Sequence, residues 1–575
     1  MSTESTLPAA SVEPSPPVAS PIWERLDNLL ERWGEKLNPI LVKETRQALK
    51  SKQFTITFGL LLLAGWAWSF LGAVFIGSSI YYGSHGGQMF VGYFLILAVP
   101  LLVIVPFSAF RSLASEREDG TYELLSITSL GPRQIISGKL GSSIVQMLIY
   151  GSAISPCLAF TYMLRGIDMP TIITIMVFMF LSSLLLSLVG LLCATATSER
   201  HWQVVLSVLL VMFLMVVCFG LISIAIAALD EGAFQFDNRY FWLTCGAIIT
   251  AYVGYFSMIF LAASAQLTFV SDNRSTGLRI TMMLQYFLFS CWMGWLWLYE
   301  GDRLEPQVPV ATIIFVMLHW FLMGAFMTGE HPDLSLRVRR NLPQTFLGRI
   351  LFTWFSPGPG TGYMYAVTSV FGAVLMWLPA LIIGGQLVPN SSNYWDEAPF
   401  VMSSICLLGT SYVVFYLGLG ALLVRLLRKV NYVPLMLTVL IQFLLVMMGI
   451  VVPIVVQFMI DDFGSRFSYT LLQIPSPIWT IAAVFDQASS GPTWELVVAM
   501  VVVPFGALCI FLLNLPAIAD EVRRIRIAAP QRVAEDDAAQ AALPAQPVPF
   551  VPTNPWDSPP PAPNSPPTEP LGETT

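Results

Sequence analysis

From about residue 55 to about residue 518, runs of roughly twenty or more apolar residues alternate with short polar gaps. A helix rises about 1.5 Å per residue, so each such run can cross a hydrocarbon core of roughly 30 Å. The pattern predicts twelve spans, at 55–81, 89–110, 142–164, 171–195, 204–228, 241–265, 281–299, 309–328, 363–388, 400–424, 434–459 and 495–518. None of them alternates apolar and polar positions as a membrane strand would. The expectation is therefore an all-α, polytopic helical membrane protein of about twelve transmembrane helices. One apolar stretch breaks the rule. Residues 471–485, LLQIPSPIWTIAAVF, are too short for a full crossing and carry two prolines, Pro475 and Pro477. They are expected to form a re-entrant or interfacial segment buried against protein.

Composition agrees with the pattern. The 575 residues are 55% hydrophobic and only 11% charged, with a mean hydropathy of +0.69. These values exclude a water-soluble enzyme, a secreted disulfide scaffold and a free nucleic-acid binder. The seven cysteines (157, 193, 218, 245, 291, 406 and 509) form no C-x-x-C pair, and the four histidines are scattered. They suggest small buried hydrophobes and isolated polar groups, with no metal site. No cleavable signal peptide is expected, because the Pro- and Ser-rich first 21 residues lack a basic region followed by an apolar one.

The position of the charges carries more information than their sum. Alternate gaps (1–54, 111–141, 196–203, 266–280, 329–362, 425–433 and 519–575) hold 25 of the 29 Lys and Arg residues. The opposite gaps hold four: Arg165, Arg239, Arg303 and Arg466. That asymmetry places both termini in the cytoplasm. None of the charged residues falls in the core of an expected span, which argues against a carrier driven by a midplane carboxylate.

The flanking segments differ from the bundle. Residues 1–21 suggest a disordered tail, and residues 22–54 an amphipathic elbow region at the inner leaflet. Within it, IWERLDNLLERWGEKL (22–37) sets Ile22, Leu26, Leu29, Leu30, Trp33 and Leu37 on one helical face. Asn38-Pro39 then restarts the chain, and Lys43, Arg46, Lys50 and Lys52 make the next stretch basic enough to suit anionic headgroups. The spans fall into two six-span halves, 55–265 and 281–518, joined by a linker at 266–280. Residues 519–575 form a Pro-rich tail expected to be disordered, with twelve prolines between Pro544 and Pro570.

The gap between spans 2 and 3 is the richest in chemistry. It opens with Glu116, Arg117, Glu118 and Asp119, turns at Gly120-Thr121, and continues through Tyr122, Glu123, Leu124 and Leu125. Gly131-Pro132 breaks it, and a helix starting at Pro132 runs through Arg133, Gly138 and Lys139 into span 3. Exposed leucines on a charged loop need a cover, either the bilayer or a protein partner.

Two segments here, NPILVKE (38–44) and EREDGTYELLSITSLGPRQIISGKL (116–140), resemble the permease subunits of type-2 ABC transporters. The resemblance is clear over residues 38–165 and weak beyond them. It implies an elbow helix before six spans and a coupling helix between spans 2 and 3 that docks on an ATPase. Residues implied in ATPase coupling are Glu116, Arg117, Glu118, Asp119, Gly120, Thr121, Glu123, Leu124, Leu125, Pro132, Arg133, Gly138 and Lys139. It further implies a non-enzymatic translocation subunit of an exporter, in the plasma (inner) membrane of a prokaryote. ATP and Mg would be bound by two partner ABC ATPase subunits, with no cofactor in this chain, no nucleic acid and the lipid bilayer as surroundings.

The chain departs from that pattern in having twelve spans. Pro343–Ile350, before span 9, echoes Pro132–Leu140 one residue shorter and lacks the acidic opening, and one echo does not decide between internal duplication and chance. SPGPGTG (356–362) suggests a hinge or turn. Gly131–Lys139 is no phosphate loop, since six residues separate its glycines and Leu140 follows the lysine. Two rivals stay open: a twelve-span secondary carrier, and a non-transporting assembly or regulatory protein on the same fold.

Overall fold

The computed structural model describes residues 38–77, 83–121, 130–195, 200–269, 272–300, 307–330, 345–387, 394–431, 435–460, 469–487 and 491–525, with 433, 535 and 539 as single positions. The amphipathic stretch 22–37, the tail 1–21, the tail beyond 525 apart from 535 and 539, and Glu123, Leu124 and Leu125 of the loop lie outside the described residues; residues 519–524, expected to open the disordered tail, instead continue the last helix.

The described residues contain helices and no strand. A short helix α1 (Pro39–Leu49) precedes α2 (Lys52–Ile76), α3 (Gly86–Glu118), α4 (Pro132–Met163), α5 (Met169–Thr195), α6 (Arg200–Asp230) and α7 (Arg239–Leu267). The second half runs through α8 (Thr276–Glu300), α9 (Gln307–Met327), the short α10 (Phe346–Phe355), α11 (Pro359–Leu387), α12 (Tyr394–Arg428), α13 (Leu435–Ile460), the short α14 (Pro477–Asp486) and α15 (Trp494–Arg524). Eleven of these helices are long and apolar enough to cross a membrane. The 25-residue α8 is long enough but less apolar, with Trp292, Trp295 and Trp297, and brings the bundle to about twelve spans. The chain is an all-α polytopic membrane protein.

Several helices run past the expected spans. Glu116, Arg117 and Glu118 form the last turn of α3, where the sequence suggested the opening of a loop, and Asp119 caps that turn. Residues 132–141 belong to α4, as the proline start at Pro132 suggested. Helical hydrogen bonding continues beyond the apolar run because the charged side chains at these ends find partners on neighbouring helices.

Within α3, a π-helical turn at Pro100–Ile104 follows from the placement of prolines. The Val105 N–H reaches the carbonyl of Pro100, five residues back. The next donor in that register is Pro106, which has none. The carbonyl left open, Leu101, accepts from the buried Ser183 hydroxyl of α5 at 2.5 Å.

Two apolar cores form. One gathers residues from Ile40 to Leu267, the other from Met282 to Ile518. They meet mainly where α7 packs on α8, with Met258 of α7 reaching the second core. At one end of this seam the Arg239 guanidinium lies 4.7 Å over the Tyr299 ring. Residues 471–473 form a single 3-10 turn and α14 has only ten residues, about 15 Å. Tyr412 donates to the Ile474 carbonyl and Tyr416 to that of Pro475, so these two carbonyls of the irregular backbone are satisfied by protein. All seven cysteines are free.

Candidate functional site

The end of the bundle that carries most of the Lys and Arg residues holds two buried clusters of charge. The first joins α1, α3 and α4. Asn38 starts α1: its side chain accepts from the Ile40 N–H at 3.1 Å, with Pro39 at the first helical position. The same side chain donates to the Gln134 carbonyl of α4 at 2.5 Å. Gly138 allows close approach of α1 and α4, since a Cβ there would lie 2.8 Å from Cβ of Ile40. Gly141 does the same opposite Leu41.

This contact brings Glu44 of α1 next to Lys139 of α4. The Lys139 side chain is 1% exposed. Its ammonium lies 2.9 Å from Glu44 and 2.9 Å from Glu116 of α3, and it also donates to the Ser112 carbonyl at 3.3 Å. Glu116 accepts in turn from Lys43 at 2.8 Å. Two lysines and two glutamates thus cancel, as burial demands. The hydrogen bond to Glu116 holds the Lys43 ammonium above its usual range, against the opposing effect of its own burial.

The other predicted residues divide by environment. Arg117 donates to the Thr195 carbonyl at the end of α5, and Glu118 pairs with Arg200 at the start of α6, 2.8 Å away. Gly120 adopts φ +70°, a left-handed turn that favours glycine, and the Thr121 hydroxyl donates back to the Glu116 carbonyl at 3.1 Å. Pro132 begins α4, where the Gln134 side chain accepts from the Gly131 N–H at 3.0 Å. Asp119, Gly120, Thr121 and Arg133 are exposed and face outward from the knot. Lys139 and Gly138 are buried, so they hold the scaffold instead of presenting a surface. Glu123, Leu124 and Leu125 lie outside the described residues.

Sequence reasoning left Lys43 and Glu44 out of the predicted site, although NPILVKE contains both. It also missed the second cluster. There Arg279 of α8, fully buried, pairs with Glu330 at 2.7 Å and donates to the carbonyls of Gly358 and Trp354 at 3.0 and 2.8 Å. The SPGPGTG segment turns its amides toward two carboxylates. Gly358 N–H donates to Glu330 at 2.8 Å, while Gly360 and Thr361 N–H donate to Glu521 of α15 at 2.7 and 3.2 Å. Gly358 has φ +149°, and a Cβ on it would overlap a Glu521 carboxylate oxygen. The expected hinge is thus a loop built around acidic side chains. Arg428 of α12 closes the cluster by donating to the carbonyls of Gly329 and Glu330. The available signal was four charges, Arg279, Glu330, Arg428 and Glu521, near the ends of apolar runs.

Both clusters clamp the end of one span to the start of another through charge. No family model matches the chain, and no curated protein or solved structure is significantly similar to it.

Proposed function

We propose that this chain is the membrane-spanning subunit of an ATP-driven, exporter-type transporter, with ATP hydrolysed by a pair of separate ATPase subunits. The observation that carries the reading is the Glu44–Lys139–Glu116–Lys43 knot. It ties the two segments that resemble type-2 ABC permeases, 38–44 and 116–140, into one unit. A partner that pushed on the exposed rim, Asp119 to Thr121 and Arg133, would move α1, α3 and α4 together. A linkage without such a knot would absorb the push in side-chain motion. Nucleotide would then bias the bundle between two arrangements by binding one of them better.

In this reading both termini and both charge clusters face the cytoplasm, and the membrane is the inner membrane of a prokaryote. Leu124 and Leu125 would be anchors in a groove of the ATPase, each worth roughly 1.5–3 kcal/mol if fully buried.

Affinity purification of the full chain from its native membrane tests this. An ATPase should co-purify with the wild type and be lost from Leu124→Asp/Leu125→Asp and from Arg133→Glu. The purified chain alone should hydrolyse no ATP above a mock preparation. Absence of any co-purifying ATPase, or robust hydrolysis by the verified single chain, would overturn the proposal.

A further inference from the structure

A cavity of about 340 Å³ lies at the seam between the two cores, among α7, α8 and α9. Its origin is a mismatch of side-chain size. On α7 the small residues Ala247, Ala251 and Gly254 recur at helical spacing, while α8 and α9 oppose them with Phe289, Trp292 and Phe315. Ile248 and Phe315 line the cavity and are also 47% and 41% exposed, so the space opens toward the face that meets hydrocarbon.

In this apolar wall Gln285, His319 and Tyr286 keep buried polar atoms without a hydrogen-bond partner among the described residues. Both amide atoms of Gln285 are buried and meet no hydrogen-bonding group among the described residues. The imidazole of His319, 8% exposed, hydrogen-bonds the Met282 backbone, yet its Nε2 is likewise buried and unmatched. Both residues line the cavity. Gln285 stands nine residues into α8, about 14 Å along its axis, well inside the apolar layer. A buried polar atom without a partner is costly, and in hydrocarbon no water comes to its aid. No charged side chain lines the space.

We infer that this cavity is a binding site for a neutral, membrane-soluble alcohol. An apolar chain fits the aromatic wall, and one hydroxyl can donate to His319 Nε2 or Gln285 Oε1 and accept from the Gln285 amide. An anion or a cation would enter without a counter-charge, and a plain alkane would leave the polar atoms unpaired. The site stands on the cavity and these two side chains, independent of whether the chain transports anything.

Photolabelling of the purified full chain in nanodiscs tests the assignment, with a diazirine-bearing decanol and the matching diazirine-bearing decane as probes. Labelled peptides are mapped by mass spectrometry. The alkanol should label peptides of α7–α9 roughly tenfold more than the alkane does, the ratio that about 1.4 kcal/mol of hydrogen bonding gives. Unlabelled decanol should compete, and decane should not. Gln285→Leu/His319→Leu should lower alkanol labelling to the alkane level and leave alkane labelling unchanged. Ala251→Phe fills the space from the α7 side and should remove labelling by both probes. Equal labelling by the two probes in the wild type would overturn the site and leave a lipid-filled crevice. That comparison needs no variant, so it stands even if a substitution impairs folding. Undiminished alkanol labelling in a folded double variant would overturn it as well.

Discussion

Replacing Lys139 by Met isolates the contribution of the first charge knot. The substitution keeps much of the side chain's length and apolar contact but removes the ammonium that sits 2.9 Å from both Glu44 and Glu116. Those carboxylates are only 8% and 15% exposed. Removing one partner from a buried ion pair typically costs about 3–5 kcal/mol, chiefly because it strands the opposite charge. Lys43 remains 2.8 Å from Glu116 and, more loosely, 3.8 Å from Glu44, and offsets part of this, which leaves Glu44 the less well compensated of the two. A cost near the lower end, about 3 kcal/mol, follows. At 1.36 kcal/mol per tenfold, it corresponds to a roughly hundredfold rise in the local opening of α1. Hydrogen exchange on the full chain in nanodiscs, followed over residues 39–49, reads that opening directly. Adding Glu44→Leu to Lys139→Met removes the stranded charge and should recover most of the protection, since an apolar pair replaces a buried ionic one at little cost. Unchanged exchange in the single variant, or a double variant as open as the single, would refute the reasoning.

Three further outcomes follow from the same geometry. Because the bond to Glu116 raises Lys43, less of its amine is free at a given pH, so acylation of Lys43 should speed up in Glu116→Gln; the pair's stabilisation is complete below the lysine's unfolded value near 10.5 and is lost as pH rises through the higher folded value. Equal acylation rates in the two proteins would contradict this. Gly138→Ala forces α1 off α4, because its Cβ would meet Cβ of Ile40 at 2.8 Å, and should cost about 1–3 kcal/mol in the same exchange measurement, with part regained on adding Ile40→Ala. Gly358→Ala should lower the thermal stability of the second half while leaving exchange in residues 39–49 unaltered, since its overlap is with Glu521 and the two apolar cores are separate.

The membrane architecture was readable because the bilayer imposes a length and a polarity on every crossing, and apolar runs display both directly. Helix ends were less readable. The rule that stops a span at the last apolar residue fails at Glu116, which continues α3 because Lys139 and Lys43 neutralise it, whereas the helix from Pro132 through Lys139 was legible from its proline start. The pairing of Lys139 with Glu44 joins residues about a hundred positions apart in sequence, and nothing in local periodicity reports it. NPILVKE and the segment ending GKL could be noticed only as separate motifs. The second cluster was darker still. The glycines of 356–362 advertised a tight turn, but which carboxylate their amides would embrace depends on Glu521, some 160 residues away. The cavity was invisible for a similar reason, since a stripe of small residues on α7 looks like a packing face until the opposing helices are known.

The separation into two cores has a consequence for how the protein is made. The first core is complete once Leu267 has been inserted, and it borrows almost nothing from the residues that follow. A ribosome still translating α8 would therefore trail a finished six-helix unit, and the remaining helices would dock on it along the α7–α8 seam. Between α7 and α8, Arg274 donates to the Thr268 carbonyl. A gene split there should yield two polypeptides that insert separately and find each other in the bilayer, whereas a split between α3 and α4 would part Lys139 from Glu44 and Glu116 and leave the charge knot to close across two polypeptides.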